Sequence, residues 1–96
     1  MKNTVMYEEI VARAEALGED IYVSASEDMI YLTVNDFEGF DADWEEVMRD
    51  LDDKQGVQEL LGYISTNSLG VHTNGLRQVY DFEGFSVTVG YASYDI

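Results

Sequence analysis

The chain has no cysteine, no proline and one histidine, and it sets only five lysines and arginines against twenty aspartates and glutamates. Without cysteine there is neither a disulfide framework nor a thiolate metal site, which fits a reducing compartment. His72 is the sole imidazole, so a zinc centre lacks the three or four ligands it needs, and a nucleophile has a single candidate base. No G-x-S-x-G elbow and no glycine-rich phosphate loop occurs. The scarcity of basic residues removes the positive stripe that releases counterions from nucleic acid, so no direct nucleic-acid binding is expected. Anionic membrane surfaces are disfavoured for the same reason. No apolar run approaches the roughly 18 residues of a membrane span. The first twenty residues carry Glu8 and Glu9 and no apolar signal core, so the chain reads as soluble, unprocessed and cytoplasmic.

What is present supports one folded domain over residues 1–96. The hydrophobic fraction is 46%, with seven tyrosines, four phenylalanines and one tryptophan, enough for a single core. The charged fraction of 26% is ordinary, but its sign is not: the formal net charge is -15. So much like charge on a small body costs self-repulsion in the compact state and attracts basic partners.

Element signals run the length of the chain. Met6, Ile10, Arg13 or Ala14, and Leu17 follow helical spacing from about Thr4 to Leu17, with Asn3 or Thr4 as cap and Gly18 as stop. Two alternating runs follow, Ile21, Val23, Ala25 and Ile30, Leu32, Val34, joined near Ser26 to Asp28. They predict a hairpin with Tyr22, Tyr31 and Thr33 on its other face. Trp44, Val47, Met48 and Leu51 predict a helix over 42 to 53, with Asp43 and Glu46 at capping-box spacing. Val57, Leu60, Leu61 and Ile64 predict another over 57 to 64, the two broken near Gln55 and Gly56. Taking Asn74-Gly75 as a two-residue turn pairs Thr73 with Leu76, Val71 with Gln78 and Leu69 with Tyr80. A second turn at Glu83-Gly84 pairs Phe82 with Phe85, Tyr80 with Val87 and Gln78 with Val89. Both turns place Leu69, Val71, Tyr80, Phe82, Phe85, Val87 and Val89 on one face, and His72 on the other.

The fold class is therefore α+β, a mostly antiparallel β-sheet of about five strands covered by two to three α-helices, in the order α-β-β-α-α-β-β-β. The last strand, ending GYASYDI, is expected at a sheet edge, where Tyr91 and Tyr94 could meet a second copy or a target. Asp95 and the terminal carboxylate argue against self-pairing there.

The stretch DFEGFDADWEE at 36–46 holds six carboxylates in eleven residues, and its first five letters return at 81–85. The second copy reads as scaffold, Phe82 and Phe85 bracketing a Glu-Gly turn. The first leads instead into acid. An EF-hand fails there: counting from Asp36, Asp41 stands where the turn glycine belongs and Val47 where the bidentate glutamate belongs. No metal and no cofactor is expected. On a helix over 42 to 53, Asp43, Glu46, Asp50 and Asp53 form a stripe opposite the apolar residues. That stripe spans about 15 Å, the length over which one DNA strand carries about four phosphates. The plain alternative is a solvated face that keeps a small protein soluble. The candidate partner-binding residues are Asp36, Glu38, Asp41, Asp43, Glu45, Glu46, Asp50, Asp52 and Asp53, with Tyr22 and Tyr31 as aromatic anchors beside the charge.

In size, charge and lack of catalytic motifs the chain resembles the small acidic anti-CRISPR and anti-restriction proteins of phages. The resemblance implies a non-catalytic inhibitor that occupies the basic nucleic-acid channel of a nuclease or CRISPR effector complex, in the host-cell cytoplasm, as a monomer or weak homodimer. A bacterial immunity protein or antitoxin that neutralises a basic toxin nuclease is the alternative. A small hydrolase or calcium-binding module ranks third.

Overall fold

A computed structural model describes residues 1–34, 55–75 and 77–91, with the side chain of Tyr91 excepted. The helix expected over 42 to 53 and the first DFEGF lie outside them. Helix α1 is Thr4–Glu15, and the Asn3 side chain accepts from the Met6 N–H as its N-cap. Gly18, at φ +61°, opens the 3₁₀ turn Gly18–Asp20 that leads into β1, Ile21–Ala25. Strand β2 is Met29–Val34, and helix α2 is Gln55–Asn67. The meander follows as β3 (Gly70–Asn74), β4 (Arg77–Phe82) and β5 (Phe85–Tyr91).

The architecture is α+β, with one five-stranded sheet in the order β1-β2-β5-β4-β3. Three of its four pairings are antiparallel, and β2 with β5 is parallel. β5 is therefore central, not the edge that the terminal GYASYDI suggested. The reason is apolar content. Val87 and Val89 of β5 and Ile30, Leu32 and Val34 of β2 are wholly buried, so these two strands lie side by side at the middle of the sheet. The pairs Ile30↔Val87 and Leu32↔Val89 put all four on the helix side.

Helix α1 lies against β1, and α2 lies beside α1 and against β4. Ile10 and Ala14 of α1 and Val57, Leu60 and Ile64 of α2 close the core over the sheet, each buried as the helical spacing required. Gln55 and Gly56, expected at a helix break, are helical. Gly56 stands against Leu17, its absent Cβ 2.8 Å from the leucine Cδ2.

The two hairpin turns came out differently. Phe82↔Phe85, Tyr80↔Val87 and Gln78↔Val89 are the pairs expected from Glu83-Gly84. Phe82 and Phe85 stack across it at 4.9 Å, and Tyr7 of α1 meets Phe85 edge-on at 5.3 Å. Gly84 is at φ +83°, and a Cβ there would stand 2.5 Å from the Lys2 Cα. The N-terminal segment rests on this turn, with the Asn3 N–H donating to the Glu83 carbonyl at 2.8 Å. The Asn74-Gly75 turn slips by one residue. Asn74 stays in the strand and pairs with Arg77, so the positive φ falls on Gly75 at the first of the two intervening positions. Partners shift by two, giving Val71↔Tyr80 and Thr73↔Gln78, and parity survives the slip. Of the face predicted from those turns, Tyr80, Phe82, Phe85, Val87 and Val89 are buried. Leu69 and Val71 are 76% and 57% exposed: among the described residues the helices pack mainly on β1 and β4, not on β3.

Candidate partner-binding surface

Nine of the eleven residues expected at a binding surface, Asp36, Glu38, Asp41, Asp43, Glu45, Glu46, Asp50, Asp52 and Asp53, lie outside the described residues. Tyr22 and Tyr31 lie on the sheet face opposite the helices. There Tyr22 pairs with Thr33, and Thr33 with Gly90, while Ser24 pairs with Tyr31, and Tyr31 with Thr88. Tyr22 is 63% exposed, as an anchor would be. Tyr31 is half-buried: the Arg77 Nε–H donates to its hydroxyl, and the guanidinium carbon stands 5.7 Å from its ring centroid. The contact spans 46 residues of sequence. Gly90 lies between Thr33 and the Arg77 end of β4, and with no side chain there the arginine can reach across β5 to β2. A glycine in a central strand was the one sequence sign of this contact.

All three basic side chains among the described residues are placed in the same manner. The Lys2 Nζ stands 3.8 Å above the Tyr7 ring and donates to the Glu27 carbonyl at 2.6 Å. The Arg13 guanidinium stands 4.0 Å above the Tyr63 ring and its Nε donates to Glu9 at 2.9 Å. The negative face of each ring attracts the cation, so the few positive charges lie against the chain's own surface. The described acids have another distribution. Glu8, Glu9 and Glu15 are on α1, Glu19 and Asp20 follow it, Glu27 and Asp28 form the first turn, Glu59 is on α2 and Glu83 is in the turn between β4 and β5. Among the described residues the open sheet face carries one acid, Asp81, 3.5 Å from the His72 Nδ1. The surface of the described residues is thus sorted into an acidic helix side and a nearly neutral sheet side rich in Tyr, Thr and Ser.

Its chemistry is limited. His72 is exposed, as its strand parity required, and Ser86 pairs with Asp81, not with His72, so these three residues do not form a Ser-His-Asp relay. Among the described residues no three metal-ligating side chains converge. A cleft of about 190 Å³ between the end of α1 and the start of α2 is lined by Arg13, Ala16, Leu17, Gly56, Glu59 and Leu60. That is below the roughly 300–1,000 Å³ of ordinary ligand pockets. Tyr80 sits on the core side, donating to the Gln78 side chain at 3.0 Å, and burial pushes its phenol above the ordinary range. No helix among the described residues is long and apolar enough to cross a membrane. Comparison with protein-family models, with curated proteins and with solved structures found no match.

Proposed function

We propose that the protein is a small acidic inhibitor that binds a basic, nucleic-acid-binding protein by presenting carboxylates where phosphates would lie. The carrying observation is the charge and its placement. A net charge of -15 is spread over 96 residues, and the basic side chains among the described residues are laid on tyrosine rings instead of interrupting the acidic surface. Such a field speeds encounter with a positive channel and repels nucleic acid itself. The contact stripe in this reading is Asp43, Glu46, Asp50 and Asp53 with the neighbouring acids from Asp36 onward, and Tyr22 supplies apolar area. The targets it fits are the DNA or RNA channels of restriction nucleases and CRISPR effector complexes.

Competition tests this reading. A panel of such nucleases is incubated with labelled duplex and increasing amounts of the chain. The expected result is displacement of duplex from at least one member, competitive with duplex concentration and lost when Asp43, Glu46, Asp50 and Asp53 are replaced together by Asn and Gln. Displacement that survives the fourfold replacement and about 0.5 M NaCl overturns the mimicry.

A further inference from the structure

β1 and β3 are the two strands of the sheet with a single strand neighbour. An edge strand turns half of its backbone N–H and C=O groups outward, and proteins guard such edges with charge, proline, bulges or cover. β1 is guarded. Glu19 and Asp20 precede it, Glu27 and Asp28 follow it, and α1 lies against it. Among the described residues β3 has none of these protections. Its sequence GVHTN contains no Asp, Glu, Lys or Arg, its pairing with β4 runs from Gly70 to Asn74 without a bulge, and all five residues are exposed. Val71 adds apolar surface on its helix side, and Leu69, just before the strand, is exposed as well.

We infer that β3 is a pairing edge for a second copy of this chain, joining two sheets antiparallel across a two-fold axis. Charge identifies the occupant. From Leu60 to Tyr80 the chain has no aspartate or glutamate, a run of 21 residues in a protein where twenty of 96 are acidic. β3 itself carries no acid and the carboxylate beside it, Asp81 of β4, is 3.5 Å from His72, so little draws a basic partner to that edge, whereas a copy carrying -15 comes close most readily where the opposing surface holds least acid. The strand is also self-complementary. A two-fold axis at Val71 sets Val71 opposite its own copy, so that β-branched residues meet across the new pair, with Thr73 of each chain toward residue 69 of the other, and exposed apolar area is covered. Five residues make a small interface, below the roughly 1,200 Å² of stable complexes, so the dimer is a weak one. This assignment stands on the sheet edges and is independent of the inhibitor reading.

Sedimentation equilibrium on the full chain, from tens of micromolar to about 1 mM, tests it in about 0.05 and 0.5 M NaCl. The expected weight-average mass rises from 10.9 kDa toward twice that value, further at high salt, where repulsion is screened. The double variant Val71→Glu/Thr73→Glu, at exposed positions, is expected to stay at 10.9 kDa with an unchanged circular-dichroism spectrum, while Tyr22→Glu/Ser24→Glu on β1 still dimerises. Amide exchange offers a readout on the unaltered chain: protection in β3 should grow with concentration while that in β1 does not. A monomer at about 1 mM in 0.5 M NaCl, a dimer that survives the β3 variant, or one that is lost in the β1 variant overturns the assignment.

Discussion

The sheet's two outer strands are both five residues long, yet they are finished in opposite ways. β1 lies between two acidic pairs and under α1, while β3 lies in the middle of an acid-free run with its apolar side uncovered by any described helix. The comparison teaches that charge among the described residues is sorted by place. There the acids gather on helices and turns, the strands are nearly free of them, and one edge is left accessible to a like-charged neighbour.

The sharpest contrast with an edge is the seam between its two halves. Leu32→Ala removes a wholly buried side chain at the parallel β2–β5 pairing, and a loss of about 2–5 kcal/mol is expected in chemical denaturation. Val71→Ala, on the exposed edge, should stay within about 0.5 kcal/mol. Equal effects at the two positions would mean that β3 is covered in the same way as the centre.

A second contrast lies between the turns at either end of β4. Gly75 and Gly84 both have positive φ, but only Gly84 touches Lys2. Gly75→Ala is expected to cost about 1 kcal/mol, from backbone conformation alone. Gly84→Ala adds a clash with the Lys2 backbone and should cost about 2–3 kcal/mol. Thermal melts of the pair check the order.

These turns also mark how far the sequence could be read. Glu83-Gly84 and its register were legible because flanking Phe82 and Phe85 made one pairing far better than its neighbours. Asn74-Gly75 was half-legible: parity came through, but the choice between two turns one residue apart was not written in the local pattern. The β1–β2 hairpin and the two ends of the first helix are local features: the hairpin was found, the cap was narrowed to Asn3 or Thr4 and falls on Asn3, and the helix ends at Glu15, two residues before the expected Leu17. The parallel β2–β5 pairing joins segments about fifty residues apart with no local signal, so β5 was misplaced at an edge. The same pairing brings Arg77 to Tyr31, which is why that tyrosine looked freer than it is. Of the candidate binding residues only Tyr22 and Tyr31 fall among those described.

Tyr80, one strand in from the β3 edge, gives a smaller effect. Burial raises its pKa in the folded state, so the unfolded chain ionises first as pH rises past about 10. The stability held by the neutral phenol is complete below that pH and is lost as pH climbs through the folded-state value. Tyr80→Phe should cost about 1 kcal/mol at neutral pH through the hydrogen bond to Gln78. It should also flatten the alkaline decline in a urea-midpoint series. A decline of unchanged steepness would assign it elsewhere. The smallest effect belongs to the edge itself: Val71→Glu should leave stability within about 0.5 kcal/mol and change only association.

The central claim is that charge decides which surface meets which partner, and salt tests it most directly. Association is followed by light scattering as NaCl rises from about 0.05 to 0.5 M, first for the chain alone and then with a basic DNA-channel protein that it displaces from duplex. Opposite slopes are expected: self-association through β3 strengthens as repulsion is screened, and the acidic surface releases its basic partner. Two slopes of the same sign would contradict the account.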